Sequence, residues 1–144
     1  MATLEDRLAL KGHDVVAVQP MDTVLYAANL MNERNIGGVV VRDGGRLAGI
    51  FTERDVLRRV VAPGLDPAAT PVAVVMSAPV LTGPPDLSVD DCAALMTSRG
   101  VRHIPVQDAG EVTGIVTIRD LLAHKVGEQQ ATLEQMNHYL FDLR

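Results

Sequence analysis

Tryptophan is missing from this chain, and phenylalanine and tyrosine occur only twice each. Its core must therefore be aliphatic, built from Val, Leu, Ile, Met and Ala. The aromatic platforms on which single-stranded nucleic acids stack are missing too. Cysteine occurs once, at Cys92, which excludes an intramolecular disulfide and a Cys-based zinc site. Its neighbours Ala93, Ala94 and Leu95 put it in a helical pattern, where a small buried hydrophobe is expected. Basic residues are outnumbered, 13 against 18 acidic, giving a net charge of −5. That balance argues against nucleic-acid backbones or an anionic membrane as partners. No apolar run approaches the length of a membrane span and no basic-then-apolar leader opens the chain, so the expected compartment is the cytoplasm.

What the chain does contain is itself, twice. Shifted by 65 residues, Pro20 to Leu57 lies over Pro85 to Leu122 without a gap, with identity at fifteen of thirty-eight positions. Such self-similarity marks a duplication. Each copy opens with a short β-branched run, Val15 to Val18 or Val80 to Leu81. A helix follows, capped by Asp22 or Thr23 in the first copy and by Ser88, with Asp91 as a capping-box partner, in the second. Its apolar positions, Val24, Ala27, Ala28 and Met31, or Val89, Cys92, Ala93 and Met96, recur at helical spacing. Two strands then flank a tight turn, Asp43-Gly44-Gly45 or Asp108-Ala109-Gly110. A second helix starts at Thr52 or Thr117.

The fold class read from this order is mixed α/β (α+β), as tandem βαββα repeats. A unit of about 55 residues is marginal alone, so the copies are expected to pair with pseudo-twofold symmetry and leave two equivalent clefts. The organisation expected is residues 1–62 for an N-terminal helix and the first repeat, 63–74 for a Pro-rich linker, 75–125 for the second repeat and 126–144 for a C-terminal helix. Thr3 to Leu10 reads as a short helix closing at Gly12. In the last segment Val126, Leu133 and Leu140 stand seven apart, with Met136 and Leu143 on the neighbouring row. This stripe needs cover, from the module or from a second chain; it is too short to establish a coiled coil.

Both copies carry Gly-Ile-x-Thr-x-Arg-Asp, at Gly49 to Asp55 and Gly114 to Asp120. One reading is structural: Thr-x-x-Asp at a helix start is a capping box, and the acid suits the positive helix end. The other is functional. A helix N-terminus with a hydroxyl at its cap favours a phosphate, and a carboxylate one turn on can accept from both hydroxyls of a ribose. Small or apolar neighbours could sandwich a base. The residues alone leave both readings open.

These two motifs, the Asp-x-Gly hairpins and the strand Arg102-His103-Ile104-Pro105-Val106 make the chain resemble the CBS-domain family (cystathionine β-synthase domains). The resemblance runs from about Leu10 to Lys125 and is to a stand-alone tandem pair. It implies a CBS-domain pair that binds AMP, ADP, ATP, NAD or S-adenosylmethionine between its copies, as a regulatory sensor and often as a homodimer. By position it puts the ribose-binding acid on Asp55 and Asp120 and the phosphate-contacting hydroxyl on Thr52 and Thr117. One cleft would comprise Lys11, Val16, Ile36, Gly37, Arg102, His103, Thr117, Arg119 and Asp120. The other would comprise Met76, Leu81, Val101, Arg102, Gly38, Thr52, Arg54 and Asp55. Arg102 and His103 could neutralise phosphate where the first copy has Gly37 and Gly38, so the Asp120 cleft is expected to bind more tightly. AMP and NAD lead among the ligands, because the limited positive charge favours few phosphates.

No catalytic cofactor, metal or nucleophile arrangement stands out, so an enzyme is not expected. His13, His124 and His138 show no ligand spacing and read as surface residues. The regulated protein is unknown to the sequence. A protein-interaction adaptor, with empty clefts and a binding C-terminal helix, is the alternative.

Overall fold

A computed structural model describes the backbone of residues 1–142 and side chains through residue 137. Helix α1 spans Leu4–Lys11, strand β1 Ala17–Val18, α2 Val24–Arg34, β2 Gly38–Asp43 and β3 Arg46–Thr52. Helix α3, Glu53–Asp55, continues as a π-helical stretch, Val56–Val61, and α4 spans Val72–Val75. The second copy supplies α5 Val89–Arg99, β4 His103–Asp108, β5 Glu111–Thr117 and α6 Ile118–Asp142.

The mixed α+β repeat architecture is as expected, and its turns follow the local chemistry. Thr23 caps α2 by accepting from the Tyr26 N–H at 3.1 Å, and Ser88 caps α5 by accepting from Asp91 at 3.0 Å. Both hairpins turn through two left-handed residues, Gly44-Gly45 and Ala109-Gly110, the backbone that matches strand twist. Thr52 and Thr117 stand where the second helices begin.

The first strand forms in one copy only. β1 pairs parallel to β2, with Ala17 opposite Val40, and the Val40 N–H donates to the Val16 carbonyl. The residue equivalent to Val40 is Pro105, which has no N–H to offer Leu81. The expected strand at Val80 to Leu81 is accordingly replaced by a single bridge, Gly83 to Val106, beside a two-stranded β4-β5 sheet.

Two cores result, one per copy. Val39, Val41, Phe51 and Val60 are fully buried in the first, and Cys92, Ile104, Val106 and Val116 in the second. Burial raises the Cys92 thiol to about 11, consistent with the expected apolar role. The helices that precede the copies cross over. Leu4 and Leu8 of α1 lie in the second core, while Val72 and Val75 of α4 lie in the first. Sequence order had grouped α1 with the first repeat and left residues 63–74 as linker; packing assigns α1 to the second core and draws the linker's end into the first. Close approach explains the exchange. A methyl group on Gly114 would sit 2.6 Å from Leu8 Cδ1, and one on Gly49 would sit 2.5 Å from Met76 Sδ.

The last helix does not break at residue 125. In the first copy Pro63 and Gly64 stop the equivalent helix, whereas Glu128 stands in place of Pro63 and α6 runs on. Along it Leu122, Val126, Leu133 and Met136 are 59, 57, 60 and 54% exposed. The module therefore does not cover this row. Leu143 lies outside the described residues, as do the side chains of His138 and Leu140.

Candidate functional site

The two motifs are built alike. Glu53 N–H donates to the Gly37 carbonyl and Ile118 N–H to the Arg102 carbonyl, both at 3.0 Å. These equivalent bonds tie each second helix to the strand end that opens its own copy's hairpin. Within each motif the threonine N–H donates to the aspartate, Thr52 to Asp55 Oδ2 at 3.0 Å and Thr117 to Asp120 Oδ2 at 2.8 Å. The Asp120 N–H returns a bond to Thr117 Oγ1 at 3.2 Å. Both acids thus hold the capping role that the sequence allowed.

Beyond the caps the acids differ. The Asp120 side chain is 14% exposed and pairs with Lys11, whose Nζ donates to Oδ2 at 2.6 Å and to the Ile115 carbonyl at 2.7 Å. Its Oδ1 takes no hydrogen bond from the described residues. Burial pushes the Asp120 carboxyl upward, but the bonds from Lys11 and Thr117 outweigh it and hold the group below its ordinary value. Asp120 is therefore ionised at neutral pH, with one oxygen open. Asp55, at 7% exposure, has both oxygens engaged. Ser77 Oγ donates to Oδ1 at 3.0 Å, and Arg59 Nε lies 3.7 Å from the same atom.

Lys11, Thr117 and Asp120 are thus brought together as expected. His103 stands beside them, within the electrostatic reach of Lys11, Asp120, Arg102 and Glu53. Its ring fills the recess left by the glycines: a Cβ on Gly38 would lie 3.1 Å from His103 Cδ2, and one on Gly37 would lie 3.5 Å from Nε2. Burial lowers the imidazole's pKa, which Glu53 only partly offsets. His103 is then neutral at pH 7 in the absence of a bound anion. The cations Arg102, Arg119 and Lys11 of this group are exposed. Val16 packs against the first core, and Ile36 is 37% exposed at the end of α2.

In the other group Arg54 donates to the Gly100 carbonyl at 2.9 Å, which links the first motif to the end of α5. Met76 packs on Gly49 and the first core, while Leu81 and Val101 pack against the second. Gly38 meets both His103 and Thr52. Sequence reading missed Glu53, Ser77 and Arg59. A signal for Arg59 was present, since the duplication pairs it with His124. His124, read as a surface residue, is only 15% exposed in its side chain and bonds Glu128. Among the described residues no cluster of His, Cys, Asp or Glu could hold a metal ion, and no helix is long and apolar enough to cross a membrane.

Residues 10–62 and 72–127 both match the CBS domain model. A CBS domain-containing protein of Bacillus subtilis, YhcV, is 34% identical over 91% of this chain and 91% of its own length. The mitochondrial CBS domain-containing protein CBSX3 of Arabidopsis thaliana is 36% identical over 83% of this chain, which spans 60% of that protein. A solved structure with CBS domains from Burkholderia ambifaria is 38% identical, covers 89% of this chain and 96% of its own, and superposes with a TM-score of 0.86.

Proposed function

The chain belongs to the CBS-domain family, and from that premise we propose that it is a non-catalytic sensor of adenine nucleotides. AMP and NAD are the leading ligands, ahead of ADP, ATP and S-adenosylmethionine. One observation carries the reading. Asp120 is a partly shielded, ionised carboxylate at the start of a long helix, with Oδ2 held and Oδ1 open. Such an oxygen can accept from a ribose hydroxyl, while the first turn of α6 and the exposed Arg102, Arg119 and Lys11 attract a phosphate. No turnover is expected, since both motif acids serve as caps and nothing beside them activates a nucleophile.

A melting screen against the five ligands tests this. A nucleotide at a hundred times its dissociation constant adds about 2.7 kcal/mol, so the midpoint should rise by several degrees. No shift with any of the five at millimolar concentration overturns the sensor and favours an adaptor acting through α6.

The exposed row Leu122, Val126, Leu133 and Met136 supports self-association, and the proposal includes a homodimer. Light scattering at micromolar concentration should return twice the 15.4 kDa chain mass. Removing residues 127–144 should weaken association. A monomeric intact chain overturns the dimer.

A further inference from the structure

We infer that Ser77 closes the Asp55 cleft, so that each chain holds one nucleotide, at Asp120. The inference rests on the nucleotide-binding reading and goes beyond it by naming the residue that sets stoichiometry. The duplication supplies its own control, because the two acids share a motif, a cap and a helix start and differ in what surrounds them.

Asp55 accepts from the Thr52 N–H at Oδ2 and from the Ser77 hydroxyl at Oδ1, with Arg59 beside that second oxygen. This carboxylate is only 7% exposed, so a ribose approaching Oδ1 meets the serine hydroxyl first. The Ser77 backbone is fixed, since its N–H donates to the Ile50 carbonyl at 2.8 Å and its carbonyl accepts from the Ile50 N–H at 3.0 Å, so only rotation about χ1 takes the hydroxyl off Oδ1. The neighbouring Met76 is wedged against Gly49. The lock is therefore backbone-anchored.

Helix α1 packs on the second copy as α4 packs on the first, but it brings no serine to Asp120, and among the described residues nothing donates to Asp120 Oδ1. The equivalent of Arg59 is His124, which turns to Glu128 instead. Asp120's extra partner is Lys11, one-third exposed and carried on a flexible four-carbon stem. An ammonium of that kind can swing from the carboxylate to an arriving phosphate and leave the site open. The serine has no charge to offer a phosphate, and its anchored backbone keeps it beside Asp55.

Calorimetric titration of the full chain with AMP tests the assignment, using Ser77→Gly and the double variant Ser77→Gly/Arg59→His. The first removes the hydroxyl from Oδ1, and the second also writes the second copy's histidine in place of Arg59. The wild type should bind one AMP per chain, and at least one folded variant should bind two. Two equivalent sites in the wild type, or one site in both variants when their melting shows them folded, overturns the inference while leaving the sensor reading intact. Absence of AMP binding by the wild type and both variants overturns the inference; if the other nucleotides also fail to bind, the sensor reading falls with it.

Discussion

Leu8→Ala is expected to lower the unfolding free energy by about 2–5 kcal/mol, the range for emptying a fully buried leucine site. Leu8 is 0% exposed, yet it belongs to a helix of eight residues at the very start of the chain. A terminal helix that merely decorated the first repeat would tolerate the change. Here the side chain fills the space above Gly114, whose missing Cβ makes room for it, and it joins Leu4, Cys92, Met96 and Ile104 in one cluster. The second copy also lacks the third strand that the first copy has, so α1 supplies a larger share of its cover. Native domains hold only about 5–15 kcal/mol in total, which makes this one of the most damaging single truncations available. Urea unfolding followed by circular dichroism should show it as a lower midpoint. Leu10→Ala, at a position 75% exposed on the same helix, should stay within about 0.5 kcal/mol of the parent. A loss below 1 kcal/mol for Leu8→Ala would mean that α1 does not build the second core.

That crossover was the part of the fold least visible in the sequence. The helix caps and the Asp43-Gly44-Gly45 turn were legible because each depends on neighbours within a few residues, and the duplication because the chain can be compared with itself. Which copy α1 joins depends instead on a contact between Leu8 and Gly114, over a hundred residues apart, which order along the chain does not reveal. Pro105 and Glu128 were readable in principle. Each departs from its equivalent, Val40 or Pro63, in a way with a definite backbone consequence: one removes a strand bond, the other lets a helix continue. In the site, the motif acids were placed by their positions in the repeat, and Lys11 only by the family resemblance. The different fates of Asp55 and Asp120 were not, because the expected asymmetry was sought in Arg102 and His103. The histidine fills a glycine recess, and the two acids differ in the hydroxyl that Ser77 places on Asp55 Oδ1 and in the lysine that α1 places on Asp120 Oδ2.

The two aspartates should accordingly separate affinity from stability. Asp120→Ala is expected to weaken nucleotide binding tenfold or more, since it removes an open, ionised acceptor and a hydrogen bond to a charged group contributes about 1.5–3 kcal/mol. Asp55→Ala should change affinity much less, because that carboxylate is already bonded on both oxygens. Its cost should appear in the fold. The substitution strands the Ser77 hydroxyl and the Thr52 N–H in a part-buried setting, and leaving such a donor unsatisfied costs about 1–3 kcal/mol. Asp120→Ala also removes a cap, and it releases Lys11, whose freed ammonium could recover some attraction for phosphate. Asp120→Asn serves as the companion variant, since it keeps the shape and discards the charge. Each protein needs two measurements, unfolding without ligand and calorimetric titration with nucleotide, so that the capping effect is subtracted from affinity. Equal affinity losses at the two positions, or a larger loss at Asp55, would show that the open oxygen of Asp120 does not govern binding.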